Sequence, residues 1–429
     1  MLYKKVDAAS PNSITAALDL FSTPPTNCAV SNSMYREYYT LNPISSKPFL
    51  FKIHPLTSMI DLSKIFVITE MRIREIDTDG SLIDIAADEV VSTIQMPGAT
   101  FIKDLRVLIN QKEIYSSNQL YSFKSYMDAE LSFPNSVKDS YLSSSGYFED
   151  DKNQNHVSGK GYIARKNMFA KSKTAQFIHK LNADIFNTDL FLITNTEIDI
   201  EISPQSNNFM TIQRELAKVT PPEVLKKFSL EIVNIKLMVK TIDLMDGLSL
   251  EVASKLDTEP ARYPVRKTSL KQMFISAGRT DFVANLFTEE VPRRVIIGLV
   301  SNANFNGDIH TTPFKFEHFK VRDIELMANG RVYPQQPYNL DYPNNLYVKA
   351  YHDFQEHLGF ANTTESNGID YSRYRNGWCF YVFNMTNAQE ESPGFELVKD
   401  GATVVTIRFD SPVPAGGVQI IAYAESDGY

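Results

Sequence analysis

Two histidines five residues apart, His352 and His357 in the segment HDFQEH, are the nearest this chain comes to a helical metal pair. A zinc pair on a helix needs a spacing of four, which stacks both imidazoles on one face. These two are read instead as surface histidines on a helix. His310 and His318 flank a Pro-Phe turn region and do not converge as a cupin-type metal site requires. No G-x-S-x-G elbow supplies an acyl-transfer nucleophile, and no G-x-x-x-x-G-K-[ST] loop offers a phosphate cradle. Trp378, Phe380, Tyr381 and Phe383 could stack on a sugar, but a contiguous aromatic strand is the mark of a core. The expectation is therefore no catalytic residue, no metal site and no cofactor.

Charge offers more than catalysis does. Lys152, Lys160, Arg165, Lys166, Lys171, Lys173 and Lys180 lie in a stretch that holds no Asp or Glu before Ala183. The bland reading is a solvated loop face. The functional one is contact with an acidic neighbour or with nucleic-acid phosphates, carried by Lys160, Arg165, Lys166, Lys171 and Lys173. Arg293-Arg294, just before an apolar run, is a second candidate for a subunit contact, because guanidinium pairs planar carboxylates well. The formal net charge of −8 argues against global nucleic-acid binding.

Extended surfaces of this kind need a rigid frame, and the frame is legible. Residues 102–114 read IKDLRVLINQKEI and residues 321–333 read VRDIELMANGRVY. They align without a gap, setting Leu105, Val107 and Ile109 against Ile324, Leu326 and Ala328. Alternation at period two predicts strands with one buried face. Asn110-Gln111 and Asn329-Gly330 then predict tight turns, since Asn and Gly tolerate positive φ. A short helix is expected after each copy, at Tyr121–Leu131 and Tyr347–Leu358. Two closing strands follow in each half, with Ile198, Ile200 and Ile202 set against Val405, Ile407 and Phe409. The parity of Ser229–Leu244 switches between Ile232 and Val233, which predicts a β-bulge.

A chain of 429 residues exceeds one typical core. With 43% hydrophobic and 22% charged residues it has the composition of a folded protein. Residues 1–33 are rich in Pro, Ser, Thr and Asn and are read as a mobile arm with one amphipathic turn near Ile14–Phe21. Residues 34–245 form a first domain and 246–429 a second, with helices expected at Pro221-Pro222-Glu223 and Asp246–Leu256. Two cysteines, Cys28 and Cys379, exclude a disulfide framework and fit a reducing compartment. The opening MLYKKVDAAS lacks a signal-peptide core, and no apolar run reaches transmembrane length. The fold expected is all-β: two antiparallel β-sandwich domains in tandem, each of jelly-roll type, with a few short helices in connections. The residues alone leave three readings open: a shell-building subunit, a carbohydrate- or protein-binding sandwich, and a cupin-like metal enzyme.

Particular words add a resemblance. IDLSK (Ile60–Lys64), LEIVNIKLMVK (Leu230–Lys240), YPVRK (Tyr263–Lys267), VPRRVIIGLV (Val291–Val300), ANFNGD (Ala303–Asp308) and TPFKFEHF (Thr312–Phe319) occur in this order. From about residue 35 onward the chain resembles the major capsid proteins of Polinton (Maverick) elements and their adintovirus relatives. It departs from them at Asn384, where an Asp is usual, and over the first 33 residues. The resemblance implies a double jelly roll and a homotrimeric, pseudo-hexagonal capsomer tiling an icosahedral shell around double-stranded DNA. It further implies penton and minor capsid partners, non-specific contact with packaged DNA, no enzymatic activity, and a place in the virion after assembly inside the host cell.

Overall fold

The structure is a computed structural model that describes residues 4–151, 159–213, 226–389, 394–395 and 397–428. Lys152 and the Pro221-Pro222-Glu223 helix start lie outside the described residues.

The first half contributes eight principal strands: β1 (Val30–Tyr39), β2 (Phe49–Ile53), β3 (Met59–Ile76), β4 (Ile102–Ile109), β5 (Lys112–Ser116), β6 (Ala175–Lys180), β7 (Ile198–Pro204) and β8 (Lys227–Leu244). The second half contributes β9 (Val265–Ile275), β10 (Asp281–Phe287), β11 (Arg294–Ser301), β12 (Val321–Ala328), β13 (Arg331–Tyr333), β14 (Phe380–Asn384), β15 (Thr403–Phe409) and β16 (Val418–Gly428). One sheet runs β1-β8-β3-β6 and its partner β2-β7-β4-β5. The second half runs β9-β16-β11-β14 and β10-β15-β12-β13, which is the same order strand for strand. Every principal pairing is antiparallel. The fold is all-β, a double jelly roll.

Alternation builds both cores. Phe49, Phe51 and Ile53 of β2 bury with Leu105 and Val107 of β4 and Ile198, Ile200 and Ile202 of β7. They meet Ile65, Val67, Met71 and Ile73 of β3 and Ile235, Leu237 and Val239 of β8 in one apolar cluster. β3 has 18 residues, so its far edge serves three partners: β6, Leu82–Asp84 and Phe191–Leu192. In β11 six consecutive residues, Val295–Val300, are buried, the signature of a strand covered on both faces.

The two copies of the opening motif are β4-β5 and β12-β13, in equivalent places. Their turns have consecutive positive φ values, 48° and 67° at Asn110 and Gln111, 49° and 75° at Asn329 and Gly330. This is the turn whose twist matches a hairpin. α1 (Tyr121–Ser132) follows the first copy, α2 (Lys160–Phe169) lies further along the same connection, α3 (Asp246–Leu256) follows β8, and α4 (Val348–His357) follows the second copy. The bulge is present: register shifts between Ile232 and Asn234, leaving Val233 unpaired.

One expectation needs correction, and one strand was not foreseen. The closing strands correspond two residues away from the alignment expected. Ile198 and Ile200 face Ile109 and Val107, whereas Thr403 and Val405 face Ala328 and Leu326. Thr403, Val405 and Ile407 are therefore the equivalents of Ile198, Ile200 and Ile202. β10 was not anticipated, because its exposed alternate positions include Asp281, Val283 and Asn285 and blur the pattern. Near Ile14–Phe21 the chain makes the one short turn expected, a 3-10 turn over Ala16–Leu18 with no buried residue.

Candidate assembly surfaces and basic clusters

α2 carries the centre of the basic stretch, and its inner face decides the fate of Arg165. Tyr162, Arg165 and Phe169 recur at helical spacing and are all buried. Arg165 is 1% exposed. Its Nε donates to the Thr93 carbonyl at 3.1 Å, Nη1 to Gln95 Oε1 at 2.8 Å and Nη2 to Asp150 Oδ1 at 2.7 Å. Burial pushes the Asp150 carboxyl up, and the adjacent guanidinium opposes that shift. Arg165 is thus a buried structural cation and does not reach a phosphate or a neighbour. Lys166 is half-buried and donates to the Asp88 carbonyl at 3.2 Å. Lys160, Lys171 and Lys173 are exposed. The stretch keeps a basic surface, but a smaller one than its composition suggested.

Arg293 and Arg294 also turn inward. Arg294 Nη2 donates to Glu425 Oε1 at 2.7 Å, with both side chains 14% exposed, and Nη1 donates to the His357 carbonyl. Arg293 is 6% exposed and lies 3.4 Å from Asp427 Oδ1. These contacts tie β11 to β16 within one sheet. Each arginine thus has a charge-pair partner on the adjacent strand of its own sheet.

The joint between the halves escaped the sequence reading. Phe123 and Tyr126 of α1 project into the second half, where Tyr126 stacks on Phe314 at 4.3 Å and Phe123 on Phe305 at 5.4 Å. Gly307 (φ 95°) lies so close to the first half that an added Cβ would sit 2.8 Å from the Phe209 backbone nitrogen. Polar bonds flank the aromatic contacts. Buried Lys138 pairs with Glu130 at 2.9 Å and donates to the Asn367 carbonyl at 2.8 Å. Arg373 bonds Glu149 and lies over the Trp378 ring at 4.3 Å. Thr268 N donates to Asp184 Oδ2 at 2.8 Å. The halves form a packed block, with the Lys138–Glu130 pair sealed inside it and Arg373–Glu149 at its rim.

No reaction centre emerges among the candidates raised by sequence. Trp378, Phe380, Tyr381 and Phe383 are all buried, so they offer no sugar platform. The Cys379 thiol is pushed up to about 11 by burial, which keeps it protonated and a poor nucleophile. His357 Nδ1 bonds the Val382 carbonyl at 2.7 Å. His352 makes an exposed i,i+4 pair with Glu356 at 3.3 Å, and the neighbouring Asp353 accepts from the Tyr338 hydroxyl at 2.8 Å. Asn384 caps its own strand end, its Oδ1 accepting from Thr386 N and Oγ1. No described helix is long and apolar enough to cross a membrane.

Exposed apolar residues cluster on extended elements. β1 and β9 are edge strands of their sheets. On and beside β1, Met34, Tyr35, Tyr39 and Leu41 are exposed, as are Ile14, Leu18, Leu20 and Phe21 of the preceding segment. Open edges and apolar skins of this kind are what an assembling subunit covers.

No family model matches this chain. It is 28% identical over 415 residues to an uncharacterized protein of Caenorhabditis elegans, F54H12.2, covering 94% of this chain and 96% of the relative. Among solved structures, it is similar to a chain of the Sputnik virophage cryo-EM structure (TM-score 0.60, 11% identity, 100% of this chain and 92% of that one). It is also similar to the Faustovirus major capsid protein (0.56, 9%, 95% and 92%) and the mavirus major capsid protein (0.54, 12%, 100% and 94%). At these identities the likeness is one of fold, and it spans both jelly rolls.

Proposed function

We propose that this chain is a non-enzymatic major capsid protein whose homotrimer forms a pseudo-hexagonal capsomer of an icosahedral shell around double-stranded DNA. The observation that carries the reading is the identical strand order of the two jelly rolls within one chain. Three copies of such a chain place six similar sectors around one axis, and sixfold-like tiles pack a shell by repeated edge contacts. The end-to-end likeness to viral capsid chains supports it, as do the sequence words shared with Polinton and adintovirus capsid proteins. On this reading residues 1–33 are an arm, 34–245 the first roll and 246–429 the second. Penton and minor capsid proteins are its further partners, the virion its place, and exposed Lys160, Lys171 and Lys173 its non-specific contact with packaged DNA.

The test is size-exclusion chromatography with light scattering, followed by negative-stain imaging. A particle of three 48.6 kDa chains with a hexagonal outline is expected. A persistent monomer at high concentration sinks the proposal. The likeness to an animal protein along nearly the whole chain favours a second reading, a host-retained capsid relative acting as a binding module. Glycan-array binding by a monomer would select it.

A further inference from the structure

At the end of the second roll where β11 and β15 finish and β12, β14 and β16 begin, the loops line an open pocket of about 480 Å³. Its charge is lopsided. Lys315, Lys320 and Arg375 line it, against a single carboxylate, Glu317. Glu317 is already engaged by Lys315 at 2.8 Å. Arg375 Nη1 donates to Asn345 Oδ1 at 2.7 Å, and neither Arg375 nor Lys320 has a carboxylate at ion-pairing distance among the described residues. This differs from the other arginines discussed above, Arg165, Arg293, Arg294 and Arg373, each of which has an acidic partner.

The pocket is also built with care for donors. His318 forms part of the wall, its ring stacked on Tyr342 at 4.0 Å. Its Nδ1 accepts from the Lys320 backbone N–H at 3.0 Å, which places the ring proton on Nε2 and makes that nitrogen a donor. Burial, with Arg375 and Lys320 nearby, lowers its pKa to about 4, so the ring stays neutral at pH 7. Phe319 and Lys320 both adopt left-handed backbone, φ 42° and 54°, although neither is glycine. The strained turn is held by Val321 N to the His318 carbonyl at 2.8 Å and Asp410 N to the Lys320 carbonyl at 2.9 Å.

We propose that this pocket binds an oxyanion carried on a small ester, a phosphate or sulfate monoester, between Lys320, Arg375 and the His318 Nε2–H. A tetrahedral oxyanion matches several donors lining one net positive pocket, and the volume leaves room for the group that bears it. The inference goes beyond shell formation and does not depend on it.

Isothermal titration of the full chain with inorganic phosphate, adenosine 5′-monophosphate and glucose 6-sulfate tests it. Saturable one-to-one binding is expected, weakened about tenfold or more by Lys320→Ala and by Arg375→Gln. Lys255→Ala, on the exposed α3, should leave binding unchanged. Preference for the nucleotide points to a mononucleotide or a strand-end phosphate as the source, and preference for the sugar sulfate points to sulfated glycans. Equal binding identifies the oxyanion alone as what is read, and all three support the site. Absence of saturable heat with every probe, or equal loss in Lys255→Ala and Lys320→Ala, overturns it. Lys320→Ala removes an exposed side chain and spares the Arg375–Asn345 bond, so a folding defect does not confuse the result.

Discussion

Asn110 and Asn329 do the same work at the same place in the two rolls. Each opens a two-residue turn with φ near 48°, and each reaches across to the segment that enters the neighbouring strand. Asn110 Oδ1 accepts from Glu197 N at 3.0 Å, just before β7, and Asn329 Nδ2 donates to the Asp400 carbonyl at 3.0 Å, just before β15. Gly401 is required beside the second turn, where an added Cβ would meet the Asn329 side chain. Alanine at either position should cost about 1–2 kcal/mol, from left-handed strain and a lost bond. The two losses should add, since the turns share no partner. Urea unfolding of both single variants and the double variant checks this, and Asn329→Gly should lose less than Asn329→Ala.

Arg165 and the neighbouring lysines should separate sharply. Arg165→Met leaves Asp150 buried without its cation and should destabilise the chain by about 3–5 kcal/mol. Lys171→Glu with Lys173→Glu should stay within about 0.5 kcal/mol of the parent, because both side chains are exposed. If these lysines meet DNA, the double variant should retain less DNA and show a shallower salt dependence. Denaturation midpoints and DNA retention across a salt series read the two effects independently.

Gly298 in β11 is a packing requirement. A Cβ there would lie 2.4 Å from Phe316 Cδ1 and 3.1 Å from Phe380 Cδ1. Gly298→Ala should destabilise by about 1–3 kcal/mol. Adding Phe316→Leu should cost less than the sum of the two single changes, since the smaller side chain vacates the clash. A thermal-unfolding double-mutant cycle measures the coupling.

Acid should weaken the fold through two histidines. Burial, with Lys180 beside one and Arg375 and Lys320 beside the other, lowers His179 and His318 to about 4 from 6.5. Between those values the unfolded chain binds protons that the folded chain refuses. Their contribution is therefore fully present above about pH 6.5 and is lost as pH falls toward about 4. His179→Gln should flatten the fall in stability over that window relative to the parent. An unchanged slope would show that His179 titrates normally in the folded chain.

Much of this architecture could be read from local pattern. The hairpins, the bulge at Val233, the helix Asp246–Leu256 and the buried aromatic strand around Trp378 all follow from residue type and spacing, which act over a few bonds. The register of β15 against β12 did not follow. A shift of two residues leaves every side chain on its original face, so alternation cannot detect it, and only the hydrogen-bonded partner decides.

Charge was the least readable feature. The run from Lys160 to Lys173 announces positive residues, but a helix turns each side chain by about 100° from the last, and the core chooses which ones face it. Arg165 went inward because Asp150 and Gln95 were waiting there. The joint between the rolls rests on pairs such as Arg373 with Glu149 and Lys138 with Asn367, 224 and 229 residues apart. The Lys320–Arg375 pocket arises from loops that meet only at one end of the second roll. Sequence alone determined two repeated β units and their turns, because backbone conformation and alternation are local. Tertiary structure decided which charges are structural and which remain free for a partner, because burial depends on what packs across the sheet.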